Sequence, residues 1–172
     1  MSSELVVVSS GDSATSKTRA LANAAIELGG GGQLVDLVEL PADALLGRVQ
    51  AQAVDDAVVA ASSARVLVLA TPVYRATYNG ALKAFLDRFP TDALARTAVI
   101  LVATAASPAH FLALDTSGRA VVASLGGWTV PTVVYATGAD FTADGPGPSV
   151  LEKLSAALAQ ARSLGSALDQ ER

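Results

Sequence analysis

Between two apolar-patterned stretches the chain reads Ser9-Ser10-Gly11-Asp12-Ser13-Ala14-Thr15-Ser16-Lys17-Thr18, a run of hydroxyls with one glycine and one lysine. The β-branched run Leu5–Val8 precedes it, and helical spacing (Leu21, Ala24, Ala25, Leu28) follows it. A helix N-terminus leaves backbone N–H groups unpaired and carries partial positive charge, so a phosphate is favoured there, with Ser and Thr hydroxyls as neutral donors and Lys17 as a cation. An ordinary Ser/Thr helix cap accounts for the same residues about as well; the position directly after the first strand favours the phosphate. Gly11-x-x-x-x-Ser16-Lys17-Thr18 misses the nucleotide P-loop pattern by one residue, a serine where the loop needs glycine to curl around a phosphate. No aspartate ends Val66–Thr71 or Val99–Thr104 to hold Mg²⁺, and Asp12 would repel a triphosphate. A monophosphate suits the loop better.

The second chemically loaded stretch is Thr71-Pro72-Val73-Tyr74-Arg75-Ala76-Thr77-Tyr78-Asn79-Gly80, which holds two of the three tyrosines. Backbone groups preset by Pro72 and aromatic faces could hold a flat, polar heterocycle, with Arg75 beside its anionic part; tyrosines capping the sheet edge are the plainer alternative. The rest of the chain excludes much. Without cysteine there are no disulfides, thiolate nucleophiles or Fe–S ligands. With His110 as the sole histidine and no G-x-S-x-G turn, a serine triad and histidine-rich metal sites are improbable. His110 reads as a cap or interface residue, Trp128 as core or interface.

The elements that must position these loops alternate regularly over 172 residues, of which 51% are hydrophobic and 16% charged. Strands are expected at Leu5–Val8, Leu34–Val38, Val66–Ala70 (ended by Thr71-Pro72), Val99–Val102 and Val133–Ala136. Helices are expected at Thr18–Leu28, Leu45–Ala61, Asn79–Phe89, Ala109–Leu125 and Val150–Leu164, with a fraying tail beyond. The uniformly apolar Val66–Ala70 fits a strand covered on both faces. Five β-then-α units predict one α/β domain over residues 1–172, a parallel sheet with helices on both faces. In such sheets ligands sit beyond the carboxyl ends of the strands. Four loops fall there: Ser9–Thr18, Thr71–Gly80, Thr104–His110 and Ala136–Gly147. A net charge of −4 argues against nucleic acid or an anionic membrane as partner. Met1–Glu4 carries no basic segment typical of a signal peptide, and no apolar run has the length of a membrane span, so a cytoplasmic protein is expected.

Thr71 to Lys83, followed by Phe85-Leu86-Asp87, resembles the T-P-V-Y-K-x-S-Y-x-G-x-L-K-x-x-x-D signature of NAD(P)H-dependent FMN reductases, in particular the flavodoxin-like branch that supplies reduced flavin to alkanesulfonate-type monooxygenases. Ser16-Lys17-Thr18 matches the S-R-T phosphate-binding step of that family, and His110-x-Leu112 with Asp115 resembles its H-x-L-x-x-[DE] segment. The resemblance implies a flavodoxin-like, doubly wound, five-stranded parallel sheet of order 2-1-3-4-5. It implies FMN as cofactor and NADPH or NADH as co-substrate. The phosphate would lie at Gly11, Ser16, Lys17 and Thr18, the ring and ribityl chain at Pro72, Val73, Tyr74, Arg75 and Thr77, and the pyrimidine edge at Thr104, Ala105 and Ala106. It further implies a homodimer or homotetramer and a partner monooxygenase that receives reduced flavin. Hydride would pass directly from nicotinamide to flavin, with backbone N–H groups stabilising the reduced ring, so no catalytic side chain and no metal are expected.

The chain departs from the family pattern at Thr104-Ala105-Ala106, where T-G-G is usual. Two methyl groups then stand where backbone approaches the ring, and positive φ angles there would be strained. Two other readings stay open: a flavoprotein that keeps FMN and reduces quinones or other acceptors, and a flavin-binding protein without turnover.

Overall fold

A computed structural model describes residues 4–170. In chain order the elements are β1 (Leu5–Ser9), α1 (Lys17–Leu28), β2 (Gln33–Asp36), α2 (Ala42–Leu45), α3 (Gln52–Ser62), β3 (Val66–Tyr74), β4 (Thr77–Tyr78), α4 (Gly80–Leu86), β5 (Ala98–Ala105), α5 (Arg119–Ser124), β6 (Trp128–Thr129), β7 (Val134–Thr137), β8 (Phe141–Thr142), β9 (Gly145–Pro146) and α6 (Pro148–Gln170). The main sheet runs β2-β1-β3-β5-β6, all parallel, with β7 also parallel to β5 and β4 antiparallel to β3. The sheet is therefore seven-stranded and mostly parallel, not five-stranded: the single strand expected at Val133–Ala136 is an edge made of two short pieces, and a small hairpin adds β4. The β8–β9 hairpin interrupts what the sequence presents as a loop.

Strand alternation divides the core. Val6, Val8, Leu67, Leu69, Val99 and Leu101 face α3, α4 and α5, while Leu5, Val7, Val66, Val68, Ile100 and Val102 face α1 and α6. Both faces of β1, β3 and β5 are covered, which is why those runs are apolar at every position. Phe85 is fully buried and meets Phe89 edge-on at 5.1 Å.

Four boundaries differ from the sequence reading. β3 continues through Thr71-Pro72 to Tyr74. Ala70 directs its carbonyl to Ser10 N, 2.9 Å away, so Pro72, two residues on, turns its N–H-less face toward the same side, where β1 has already ended and no ladder bond is lost. The helix expected over Leu45–Ala61 is α2 and α3, separated around Gly47 (φ +72°). The helix expected over Ala109–Leu125 is a short 3₁₀ turn at Pro108–His110, a wide π turn at Leu114–Gly118, and only then α5. Thr116 and Ser117 donate their hydroxyls back to the carbonyls of Leu112 and Ala113, which competes with regular helix bonding. The tail expected to fray is helical to Gln170, tied by an Arg65–Asp169 ion pair and by Arg96 donating to Leu168 O at 2.9 Å.

One side chain reinforces the edge beyond its pairing with β5. Arg119 donates to Asp115 (2.8 Å), Thr129 Oγ1 (2.9 Å), Val130 O (2.9 Å) and Pro131 O (2.7 Å), stapling α5 to the β6–β7 connection. Trp128, read as core or interface, is 54% exposed on β6 and is not core. No helix among the described residues is long and apolar enough to cross a membrane.

Candidate functional site at the carboxyl edge of the sheet

The register of the three central strands brings their ends together. Ser9 lies level with Ala70, and Pro72 with Thr104. The loops that follow are joined beneath the surface by a buried hydrogen-bond hub. Asn79 caps α4 by accepting from Leu82 N at 3.0 Å, donates from Nδ2 to Ser10 O at 2.6 Å, and receives Thr71 Oγ1 at 3.4 Å; its backbone N–H donates to Thr71 Oγ1 at 3.2 Å. One side chain thus links the first loop, the end of β3 and the start of α4. A second tie, Thr18 Oγ1 to Thr104 Oγ1 at 2.6 Å, fixes the first turn of α1 to the end of β5. Each buried bond of this kind contributes about 1 kcal/mol, and more is lost when one partner is left unpaired.

Above these ties lies a cleft of about 420 Å³ lined by Asp12, Ser16, Lys17, Thr18, Pro72, Val73, Tyr74, Thr104, Ala105, Ala106 and Gly138. Each of the four loops picked out at the carboxyl edge contributes to it. Ser16, Lys17, Thr18, Pro72, Val73, Tyr74, Thr104, Ala105 and Ala106 are brought together; Gly11, Arg75 and Thr77 stand outside the lining. Gly11 is buried beside Ser16, and a Cβ there would lie 2.2 Å from Ser16 Oγ, so its lack of a side chain leaves space for that hydroxyl. Arg75 and Ala76 form the two-residue turn between β3 and β4, both left-handed at φ +51° and +65°. Thr77 Oγ1 meets Ser117 Oγ at 2.6 Å and anchors that hairpin to the π turn. The strain expected at Ala105 and Ala106 is not there: among the described residues, the non-glycine positions with positive φ are Arg75, Ala76 and Asp92. Glycines at 105 and 106 would therefore relieve no backbone strain. They would cost about 1–2 kcal/mol of stability through added unfolded-state entropy, a loss expected in a thermal melt.

Electrostatically the cleft is mixed. Ser16 accepts from Arg19 N at 3.2 Å as the cap of α1, which leaves the N–H groups of the helix's first residues toward the cleft. Lys17 Nζ sits 5.7 Å from the centroid of Phe141 and beside Gly138. Tyr74, also in the lining, donates its hydroxyl to Asp12 Oδ2 at 3.3 Å. Burial and the neighbouring carboxylate hold the Tyr74 phenol above its ordinary value, so it stays a donor at neutral pH. At the base of the 137–147 loop, Asp140 accepts from Thr137 N and Oγ1 at 2.7 and 2.8 Å, which lowers its pKa. Asp12 is marked in the sequence as a negative charge in the phosphate loop, whereas Gly138 and Asn79 carry no such mark. Nothing in the sequence marks Asn79 as more than a helix cap.

The donor set fits a phosphorylated flat ring. Helix N–H groups, hydroxyls and one ammonium share the lining with a proline–valine–tyrosine wall and an alanine pair. An open, mostly parallel sheet with helices on both faces and a cleft beyond the carboxyl strand ends defines a flavodoxin-like α/β protein. A sequence profile described as NADPH-dependent FMN reductase matches residues 3–142, and the chain belongs to that family, a family of oxidoreductases. It is 38% identical over 146 residues to the FMN reductase (NADPH) of Pseudomonas aeruginosa, covering 80% of this chain and 78% of that protein. It is 36% identical over 146 residues to the NADH-dependent FMN reductase SfnF of Pseudomonas fluorescens, with the same coverage of 80% and 78%. The solved apo form of the NADH:FMN oxidoreductase EMOB superposes with a TM-score of 0.84 at 34% identity, covering 92% of this chain and 88% of that one.

Proposed function

We propose that this protein reduces FMN with NADPH or NADH and hands the reduced flavin to a flavin-dependent monooxygenase. The observation that carries it is the single cleft lined at once by the hydroxyl-rich start of α1 and by the Pro72-Val73-Tyr74 wall. Family membership and the reductase names of its relatives support it. Bound FMN supplies the hydride acceptor. The chain's own residues bind and orient it. Ser16, Lys17 and Thr18 with the α1 N-terminus receive the phosphate. Pro72, Val73 and Tyr74 take one side of the ring, and Thr104, Ala105 and Ala106 its edge. Gly11, Arg75 and Thr77 act at one remove: Gly11 by leaving space for Ser16, Thr77 by anchoring the hairpin, Arg75 as an exposed cation beside the cleft. With β6 and β7 counted as one interrupted edge, the sheet has the doubly wound 2-1-3-4-5 order. We place the protein in the cytoplasm as a homodimer or homotetramer.

Oxidation of NADPH and NADH is to be followed with and without added FMN, and with a quinone. Turnover that depends on added FMN is the expected result. Turnover with quinone by a protein that purifies yellow and needs no added FMN would point instead to a retained-flavin reductase. Flavin binding without any nicotinamide oxidation would overturn the enzymatic reading.

A further inference from the structure

Asp12 is an anomaly in a cradle for an anion. It lines the same cleft as Ser16, Lys17 and Thr18, and among the described residues no cation pairs with it. Its hydrogen-bond partner is Tyr74, at the end of β3 and 62 positions away in the chain. A phenol is a single neutral donor. It fixes the direction of a carboxylate and leaves its charge in place. Lys17, in the same lining, lies against Phe141 and Gly138. The cradle therefore carries one cation and one anion that are not paired with each other. Its formal charge is zero, and its grip on a phosphate rests on helix N–H groups and hydroxyls.

We infer that Asp12, oriented by its hydrogen bond from Tyr74, is a specificity-determining residue that holds down the affinity for phosphorylated flavin and keeps FMN exchangeable. The inference rests on the reading of the cleft as the FMN site. The phosphate carries the same charge on oxidised and reduced flavin, so a fixed carboxylate weakens both forms together. That is the behaviour of a site through which flavin must pass. Riboflavin lacks the phosphate and does not feel the charge. The unaltered protein therefore distinguishes FMN from riboflavin less sharply than its helix N-terminus and lysine would on their own.

The test is a fluorescence-quenching titration of FMN and of riboflavin against the unaltered protein, Asp12→Asn and Asp12→Lys, at low and high salt. Asp12 is exposed, and a thermal melt of each variant checks the fold. FMN is expected to tighten about five-fold in Asp12→Asn and further in Asp12→Lys, with riboflavin changed by less than about two-fold and the FMN gain shrinking at high salt, as screening of exposed charges requires. FMN affinity that ignores the charge series, or that shifts in step with riboflavin, overturns the role of Asp12 while leaving the flavin site standing. An unaltered protein that binds neither flavin overturns both.

Discussion

Asn79→Ala is expected to lower the melting temperature by about 10 °C and to weaken FMN binding with it. Alanine removes the cap of α4, worth about 1 kcal/mol, and leaves the buried Ser10 carbonyl without the donor that sits 2.6 Å from it, worth a further 1–3 kcal/mol. A total near 3 kcal/mol in a domain of this size corresponds to about 10 °C. The coupling to function follows from where the bonds lie. Ser10 opens the loop proposed to hold the phosphate, and Asn79 closes the loop proposed to hold the ring. Asn79→Asp separates the contributions: it keeps an acceptor for Leu82 N but turns the donor facing Ser10 O into a second acceptor. A melt of Asn79→Ala within about 2 °C of the parent would show that the hub carries no weight.

The second large effect is functional. Ser16→Asp keeps a good helix cap, since aspartate is as well suited as serine to accept from a backbone N–H at that position, so the melt should barely move. FMN should weaken about 100-fold, because a carboxylate would occupy the position from which Ser16 Oγ meets the cleft and would repel a phosphate carrying up to two negative charges. Riboflavin should weaken far less. The measurement is the ratio of the two dissociation constants; an equal loss for both flavins would show that this loop does not read the phosphate.

The contrast between what the sequence discloses and what it hides has a physical basis. Runs such as Val66–Ala70 and Val99–Val102 are apolar because both faces are covered, so they announce central parallel strands and, with them, the edge where the loops collect. Seven of the cleft's lining residues lie within segments that local chemistry already marks: hydroxyls before a helix and a proline–tyrosine pair after a strand. What escapes is whatever depends on distant partners. Pro72 looks like a strand terminator until the early end of β1 is known. The Ala109–Leu125 pattern reads as one helix because apolar periodicity does not register the Thr116 and Ser117 hydroxyls bonding back to the carbonyls of Leu112 and Ala113. Glycine in the family pattern suggested strain at Ala105 and Ala106, but the backbone there keeps ordinary dihedrals; the left-handed pair is instead Arg75-Ala76. The Asp12–Tyr74 bond joins residues 62 apart, a separation that no local pattern encodes.

That left-handed pair has an evolutionary corollary. In the reversal from β3 into β4, both central positions hold φ near +50° to +65° without a glycine, so the bend is stored in the main chain and stitched at its base by the Val73–Tyr78 and Tyr74–Thr77 pairings. The arginine is a tool on a rigid bracket. Unbranched side chains can be traded at position 75 with the bracket intact, whereas valine, isoleucine and threonine would be rejected by the dihedral itself. A new chemical tip beside the cleft is one codon away, with no redesign of the turn that carries it.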